Sequence, residues 1–458
     1  LRVWGWRGRN AKPKSDDWVR GFQDSRHTGQ TAEIVKPPLT VAWTWKDTYT
    51  YDNGNGNQFH PRPAFSLPIY YKGKVCFQGG LNANRVFCLN PADGSLAFES
   101  DNSGYTASGT YLFQFDNYPA VAAGRLIFAS SDYTSSVDAL TGAGFLNIYN
   151  INGGWPAGGV ASWNGAVYEQ FYGSDYPNTD QFSILPNPST LAPTIGAHEP
   201  PDYVNTFIDP NFRVPAVDGG VAYANVMGVL QAWDALTARP LWKWGKLNNG
   251  SSPAVANGIV YFYAVQQQML FALKASPTGT VSTVWSVPMV RAYSPIVSDG
   301  VVYVGSGDNN FYALDAATGA RKWTFPTRNA FYALQIPAIS GDLIYVPSSD
   351  GNLYILNKIT GKEVSRYAGT VAWGPVAIGG GMVYASDLTN TVYGFLPQTA
   401  AIGPSQTAVS LSRATNNQAI ATNLKGGGFF GDGASSAVQS IRLDNTAGTV
   451  LTGYTVAS

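Results

Sequence analysis

The sequence predicts an all-β protein made of repeated small sheets, and three observations lead to this prediction. Short apolar or alternating runs are separated by turn residues about every eight to twelve positions, which is the spacing of strands rather than helices. The 50 glycines and 28 prolines among the 458 residues interrupt any long helix. A unit of about 40 residues recurs along the chain, as it does in repeat architectures.

The repeat is clearest in Ser294–Trp323, which reads SPIVSDGVVYVGSGDNNFYALDAATGARKW. A proline heads each copy, where its missing N–H is tolerated at the start of a strand. The copies therefore begin near Pro68, Pro119, Pro156, Pro215, Pro253, Pro295, Pro337 and Pro375. One such four-stranded sheet cannot bury both of its faces, so neighbouring sheets must stack around an axis. The sequence thus predicts an eight-bladed β-propeller, with seven blades as the alternative if residues 154–200 are an insertion.

The last copy ends at Leu396 after only three strands. The segment Thr40–Trp45 (TVAWTW) supplies the missing outer strand and closes the ring, which removes an exposed sheet edge. We therefore expect an N-terminal arm at 1–37, a propeller at 38–398 and a C-terminal β-rich extension at 399–458. The extension carries few large apolar residues, so it is expected to dock on the propeller or to pair with another chain.

Composition excludes two classes of partner. Only 13% of the residues are charged, and 29 basic residues balance 29 acidic ones, whereas a nucleic-acid binder needs a basic surface. No run of about 18 apolar residues is present, so no helix is expected to span a membrane. The start at Leu1 and the abundance of Asn, Thr, Ser, Gly, Tyr and Trp over Lys and Glu predict an exported protein. The expected location is extracellular or at the cell surface, with the periplasm as the alternative.

Cys76 and Cys88 are the two cysteines. They align with neighbouring antiparallel strands of one blade, so a disulfide is expected, and two separate buried thiols are the alternative. The run Asp52–Asn57 lacks the carboxylates of a calcium loop and is interpreted as a turn, so no metal is expected. His27 is expected to be structural and His198 to have no chemical role.

The 11 residues Ala313–Trp323 resemble the tryptophan-docking repeat of the pyrroloquinoline quinone family of β-propellers. Residues 232–242 form a second copy that lacks only the glycine. The D-x-x-H-T-G stretch at 24–29 is similar to a segment that precedes the closing strand in exported members. The resemblance implies that the docking tryptophans are buried between blades. The residues expected to be structural are the docking tryptophans Trp242 and Trp323, Trp43 and Trp45 of the closing strand, and Asp315 and Gly319 of the tight turn.

Quinoprotein dehydrogenases of this family use an Asp base, a calcium ion held by Glu and Asn, an Arg, and commonly a disulfide between adjacent cysteines. In this chain the cysteines are twelve positions apart, and no Asp, Glu and Asn set matches the motifs of the family. We therefore expect no cofactor, and a divergent dehydrogenase is the third functional hypothesis.

Loops that lead into the inner strands carry arginines and aromatic residues, which would gather at one mouth of the propeller channel. The candidates for ligand binding are Arg213, Arg291, Arg328, Trp155 and Trp373. Such a surface suits a uronate-rich polysaccharide. With His60, Arg62 or Tyr293 in catalytic roles, β-elimination is feasible. The alternative is that the aromatic residues pack between blades and the arginines bond strand ends.

The leading hypothesis is an exported, non-catalytic β-propeller that acts as a cell-surface or extracellular scaffold or structural protein. Its expected partners are other proteins or copies of itself. Self-assembly through the basic arm 1–25, with Trp4, Trp6 and Trp18 as anchors, and through 399–458 is a further part of this hypothesis. The second hypothesis is a polysaccharide-binding protein or polysaccharide lyase that uses the channel mouth.

Overall fold

The computed structural model forms two compact units, Leu1–Leu396 and Pro397–Ser458. It describes residues 18, 22–46, 51–52, 58–59, 67–79, 85–101, 119–130, 133–149, 155–156, 159–172, 181–189, 195–198, 214–226, 229–245, 250–275, 279–331, 335–387, 389, 391–398, 411–413, 419–421, 427–429 and 443–445. Within these ranges the protein contains strands and turns but no helix. None of the described residues therefore belongs to a helix that could cross a membrane.

The first unit begins with four strands, and β3 and β4 form a hairpin. These strands are β1 (Gln30–Thr31), β2 (Leu39–Lys46), β3 (Tyr51–Asp52) and β4 (Gln58–Phe59). Sheets 1 to 8, numbered in chain order, follow. Sheet 1 contains β5 (Ile69–Tyr71), β6 (Lys74–Gly79), β7 (Arg85–Leu89) and β8 (Leu96–Asp101), and sheet 2 contains β9 (Ala120–Ala122), β10 (Arg125–Ser130), β11 (Tyr133–Asp138) and β12 (Leu146–Tyr149).

Sheets 3 to 5 occupy the middle of the unit. Sheet 3 contains β13 (Trp155–Pro156), β14 (Ala161–Trp163), β15 (Ala166–Tyr172), β16 (Gln181–Leu185) and β17 (Ile195–His198). Sheet 4 contains β18 (Ala216–Asp218), β19 (Val221–Val226), β20 (Val229–Asp234) and β21 (Pro240–Trp244). Sheet 5 contains β22 (Ala254–Ala256), β23 (Ile259–Ala264), β24 (Met269–Ala275) and β25 (Val281–Pro288).

Sheets 6 to 8 complete the unit. Sheet 6 contains β26 (Ile296–Ser298), β27 (Val301–Gly305), β28 (Asn310–Asp315) and β29 (Arg321–Pro326). Sheet 7 contains β30 (Ala338–Ser340), β31 (Leu343–Pro347), β32 (Asn352–Asn357) and β33 (Glu363–Ala368), with β1 added parallel to β30. Sheet 8 contains β34 (Trp373–Gly379), β35 (Met382–Asp387) and β36 (Thr391–Pro397), and β2 is its outer strand beside β36.

The sheets are arranged as a β-propeller. The short first strands are the inner ones: β9, β14, β18, β22 and β26 contact one another in this order, and β30, β34 and β5 do the same. The contact between β34 and β5 joins the last sheet to the first. Consecutive strands of a regular sheet pair antiparallel in chain order, which is the plan of a propeller blade.

Seven sheets follow this plan, and sheet 3 departs from it. In sheet 3 both β13 and β14 pair with β15, so its first edge is split between two strands. This sheet comes from the divergent stretch 154–200 of the sequence. The expectation of eight equivalent blades is therefore wrong, and the propeller has seven regular blades, as the alternative count stated. A sequence period reports the length of a repeat but not how its strands pair, which explains the error.

A repeated turn joins the third and fourth strands of the regular sheets. In four of these turns an Asx carboxylate or amide oxygen accepts hydrogen bonds from the N–H groups two and three residues later and from a threonine hydroxyl, which satisfies the turn backbone. The residues at the head of these turns are Asp138, Asp234, Asp315 and Asn357.

The carbonyl that follows the turn head binds the preceding sheet. Trp323 Nε1 donates to Lys358 O at 3.0 Å, and Trp285 Nε1 donates to Ala316 O at 2.9 Å. Trp43 Nε1 donates to Pro91 O at 2.7 Å in the same way. Each indole lies over a turn glycine with positive φ, where a Cβ atom would come within 2.8 Å of the ring. These glycines are Gly361, Gly319 and Gly94.

Buried tyrosines reinforce the same contact. A tyrosine stands third in the second strand of sheets 3 to 8. Tyr168, Tyr261 and Tyr303 donate their hydroxyls to the carbonyls of Ala235, Ala316 and Lys358, the residues that follow the turn heads. Burial raises the pKa of Tyr261 to about 12, so its hydroxyl stays protonated and acts as a donor.

In sheet 8 the N-terminal segment takes the place of this turn. Tyr345 donates its hydroxyl to Val35 O at 2.5 Å, and Val35 N donates to Ser340 Oγ at 2.8 Å. The carboxylate of Glu33 accepts the N–H groups of Gly380 and Gly381 at 2.7 and 2.6 Å. Residues 33–35 thus connect sheets 7 and 8.

The second unit contains two small antiparallel pairs of strands. The first pair is formed by β37 (Leu411–Arg413) and β38 (Ala419–Ala421), and the second by β39 (Gly427–Phe429) and β40 (Leu443–Asn445). This unit comes from the segment in which the repeat is no longer recognisable.

Replacing Trp323 with Ala is expected to lower the free energy of unfolding by about 3–5 kcal/mol. The indole is 8% exposed and holds the carbonyl of the next turn. Trp242 is only half-buried, unlike the expectation for both docking tryptophans, so Trp242→Ala should cost less and is the matched control. Chemical denaturation measures both variants. A cost under about 1 kcal/mol at Trp323 would contradict its docking role.

Deleting residues 1–46 is expected to cause aggregation or loss of cooperative unfolding. The deletion removes β2, exposes the edge of β36 and uncovers the glycines against which Trp43 packs, and free edges pair with other chains. Gel filtration and thermal unfolding are the measurements. Deletion of residues 1–17 is the control, because it leaves β1 and β2 in place. A monomeric 47–458 chain with unchanged melting would refute closure by β2.

Candidate functional site

The structure places three of the proposed mouth residues on one face of the propeller. Arg291 and Tyr293 lie in the loop between β25 and β26, and Arg328 lies in the loop between β29 and β30. Both arginine side chains are exposed, and Tyr293 is half-buried. The N–H of Arg328 donates to Asp350 Oδ2 at 3.1 Å. Arg291 and Arg328 thus remain candidates for ligand binding.

Trp373 is not a platform for a ligand, and this interpretation is corrected. Its side chain is 1% exposed, and its Nε1 donates to Gly351 O at 2.9 Å. Tyr367, Tyr393 and Phe395 surround the ring with centroids 4.9 to 5.8 Å away. The alternative stated for the aromatic residues, packing between blades, describes this tryptophan, since Tyr367 belongs to sheet 7 and Tyr393 and Phe395 to sheet 8.

The side chains of four other candidates are not among those described. His60, Arg62 and Arg213 lie outside the described residues, and Trp155 is described only through its backbone in β13. His198 is likewise placed by its backbone in β17. Among the described residues, no group of three His, Cys, Asp or Glu side chains has an arrangement that could hold a metal ion.

The cysteines are paired. Cys76 in β6 and Cys88 in β7 face each other in the antiparallel register, and a disulfide joins them. Both residues are buried in the core of sheet 1. The cross-strand position expected from the repeat is therefore the position that the structure shows.

Residues 22–31, here called the channel segment, run along the inner edges of the propeller strands. The carbonyls of Ser25, Arg26 and His27 accept N–H groups from the middle residues of β18, β22 and β26 at 2.6, 2.9 and 3.1 Å. The carbonyl of Gly29 accepts the N–H of Ile339 in β30 at 2.6 Å. Four residues of the channel segment thus bond the inner strands of four successive sheets.

The D-x-x-H-T-G stretch accounts for the shape of the channel segment. Asp24 Oδ1 accepts the N–H groups of Arg26 and Thr28, each at 3.0 Å, and its other oxygen pairs with the Arg26 guanidinium at 3.2 Å. His27 is fully buried and stacks on Phe22 with ring centroids 4.2 Å apart. Gly29 has a φ of 60°, and a Cβ there would lie 2.8 Å from Ile296. His27 is therefore part of the interior.

The channel segment also contains strained backbone. Phe22, Gln23 and His27 have φ values of 62°, 72° and 61°, in the left-handed region that costs a non-glycine residue about 1 kcal/mol or more. Their side chains are all buried, so packing and the bonds to the inner strands compensate this cost. Burial raises the pKa of Asp218 at the end of β18, and the nearby charge of Arg26 opposes the rise.

A buried carboxyl group between sheets 2 and 3 was missed in the sequence. Glu169 in β15 is 2% exposed, and its Oε2 accepts the hydroxyl of Thr134 in β11 at 3.1 Å. Burial raises the pKa of Glu169 to about 8, and the Thr134 hydrogen bond opposes the rise. The sequence signal was available, since Glu169 interrupts an apolar strand in a chain with few charges. Glu169 lies within strand β15 and not in one of the mouth loops.

The geometry and the repeat together define the class of protein. The chain is a β-propeller whose repeats are similar to those of the pyrroloquinoline-quinone-like propellers. The family model described as outer membrane protein assembly factor BamB matches residues 226–399. No curated protein sequence matches the chain.

Solved structures with the same fold include BamB and quinoprotein enzymes. BamB from Moraxella catarrhalis is 15% identical, with a TM-score of 0.57 over 78% of this chain and 100% of that one. A europium-containing methanol dehydrogenase is 11% identical, with a TM-score of 0.64 over 84% and 98%. The quinohemoprotein alcohol dehydrogenase from Comamonas testosteroni is 12% identical, with a TM-score of 0.64 over 88% and 84%. At these identities the likeness shows the fold alone.

Glu169→Gln is expected to change the pH dependence of stability. The native carboxyl keeps its proton up to a pKa of about 8, whereas the ordinary value is 4.5, so the unfolded state binds fewer protons between these values. Stability contributed by the neutral group is therefore lost as pH rises from about 4.5 to about 8. The variant should be more stable than the native chain at pH 8, with a smaller difference at pH 5.

Denaturant midpoints at the two pH values measure this difference. Glu363→Gln is the matched control, because it makes the same substitution at an exposed position. A Glu169→Gln variant that differs from the native chain by the same amount at pH 5 and pH 8 would show that Glu169 is ionised throughout.

Proposed function

We propose that this protein is a non-catalytic β-propeller that serves as a scaffold for partner proteins. The observation that carries the proposal is the occupation of the channel by the protein's own backbone. The carbonyls of Ser25, Arg26, His27 and Gly29 bond the inner edges of sheets 4 to 7, so these edges are already paired. A scaffold needs a rigid ring with free outer surfaces, and the buried channel segment contributes to that rigidity.

Exposed apolar side chains support a protein-binding surface. The second residue after the turn head is a large aliphatic residue in sheets 2, 4 and 7, where a solvated turn would be expected to carry a polar one. These residues are Leu140, Leu236 and Ile359, with exposed fractions of 41%, 65% and 66%. In the strand order of the sheets, these turns all open on the same face of the propeller. These three positions are the candidate contacts of a partner protein.

An exported location is part of the proposal. A disulfide between Cys76 and Cys88 is typical of oxidising compartments. The likeness of the fold to BamB, an outer membrane protein assembly factor, also supports a scaffold that works outside the cytoplasm. Self-assembly through the two chain ends stays a hypothesis, since residues 1–17 and most of 399–458 lie outside the described part of the chain.

The two enzyme hypotheses receive less support. Trp373 of the proposed polysaccharide site is buried in the core. Three other residues of that site lie outside the described residues. The dehydrogenase hypothesis rests on a shared fold at 11–12% identity, and one such fold carries many functions.

Site-specific photo-crosslinking in the cells that produce the protein tests the proposal. A photoreactive amino acid at Leu236 or Ile359 should capture one defined protein, because these side chains project from the apolar face. The control position is Asn329, which is exposed in a loop on the opposite face. Absence of a specific adduct, or identical adducts at all three positions, would argue against a scaffold that uses this face.

A further inference from the structure

The seam between sheets 5 and 6, meaning the interface where these two sheets pack, differs from three other seams of the propeller. In those three, two residues after the docking tryptophan, the outer strand carries an aromatic residue that packs against a ring in the third strand of the next sheet. Three such pairs are Trp45–Phe87, Trp244–Phe271 and Phe325–Tyr354, with ring centroids 4.8, 4.7 and 4.9 Å apart.

In β25 this position is Val287, two residues after Trp285. Val287 packs against the cluster that contains Tyr312, the third-strand residue that corresponds to Tyr354. A valine is smaller than the aromatic ring found at this position in those three seams. A cleft of about 320 Å³ lies beside this position, large enough for an aromatic side chain.

The walls of the cleft suit an aromatic ring. Met269, Pro288 and Met289 form apolar surface, and Tyr312 contributes its ring. The Tyr312 hydroxyl donates to Asp308 Oδ2 at 2.6 Å, and the Arg321 guanidinium carbon lies 4.9 Å from the centre of the Tyr312 ring. The tyrosine is thus held in place, as Tyr354 is by Asp350 and Arg366 in the next seam. Aromatic pairs contribute about 0.5–1.5 kcal/mol beyond the burial of area.

The surroundings of the cleft favour a polypeptide over a small molecule. The eight-residue strand β25 is the last strand of sheet 5, and within the described residues no strand pairs with its outer edge. Pro288 at its end lines the cleft. Val284 in the strand and Val290 in the cleft wall are 42% and 48% exposed. An extended segment that adds to a free edge gains main-chain hydrogen bonds and directs alternate side chains into pockets.

We propose that this cleft binds an aromatic side chain of a partner protein, presented by an extended segment that pairs with the edge of β25. The proposal relies on the scaffold function for the existence of a partner, whereas the binding itself can be measured without it. The partner thus supplies the aromatic ring that is missing at the position of Val287.

A blocked peptide with the sequence Arg-Lys-Trp-Thr-Phe-Pro is the probe, and fluorescence anisotropy of its labelled form measures binding to the full chain. The sequence copies Arg321–Pro326, whose Phe325 packs against Tyr354 in the neighbouring seam. We expect saturable binding to the native chain. A peptide with Ala in place of Phe should bind at least about tenfold more weakly, which corresponds to about 1.4 kcal/mol.

The variant Val287→Phe places an aromatic ring where those three seams carry one, next to the cleft-lining Pro288, and it should weaken peptide binding at least about tenfold. Val364→Phe is the matched control, since it adds the same ring at an exposed position of sheet 7 and should leave binding unchanged. Thermal unfolding of both variants establishes that they are folded.

Equal peptide affinity of Val287→Phe and the native chain would overturn the proposal, as would no binding to the native chain at millimolar peptide. Equally tight binding of N-acetyl-phenylalanine amide would contradict a polypeptide ligand. Failure of photo-crosslinking at Leu236 and Ile359 would instead count against the scaffold function, because the peptide measurement does not depend on it.

Discussion

The structure depends on one carbonyl group in each outer turn. An Asx residue folds the turn, and the carbonyl after it points at the preceding sheet, where a tryptophan N–H, a tyrosine hydroxyl or both donate to it. These donors and the carbonyl are buried, so each would lose hydrogen-bonding water without the other. The contact therefore fixes the distance and angle between consecutive sheets, and repetition of one geometry closes a ring.

Closure of the ring brings the inner strands together around the axis, where the channel segment can bond them. Inner strands of three residues present unpaired N–H groups toward the axis, and a buried N–H group needs a partner. Four carbonyls of the channel segment, those of residues 25, 26, 27 and 29, supply partners to four sheets. Phe22, Gln23 and His27 adopt left-handed backbone in this segment. Further along, Val35 replaces the turn carbonyl that the three-stranded end of the repeat lacks. Channel occupation and ring closure thus come from one continuous N-terminal segment.

The parts of the molecule that follow a local rule could be predicted from the sequence. The prolines, the turn residues Asp315 and Gly319 and the tryptophan at the end of each good copy indicated the propeller and its docking contact. Sheet 3 and Trp373 could not be predicted in the same way. A degenerate repeat does not specify whether its first strand is split. A tryptophan at the end of a loop has the same sequence context whether its ring is exposed to solvent or packs against Tyr393 and Phe395, as it does here.

The sequence by itself determined the all-β class, the repeat, the outer-strand role of Thr40–Trp45 and the cross-strand placement of Cys76 and Cys88, because each depends on periodicity or alignment within one repeat. Only the tertiary structure decided which groups meet across repeats. The channel segment reaches strands from Ala216 to Ser340, Glu169 meets Thr134 from another sheet, and the cleft at Val287 depends on what the next sheet presents. Such contacts form only when the ring closes. A local sequence pattern carries no information about which distant residues closure brings together.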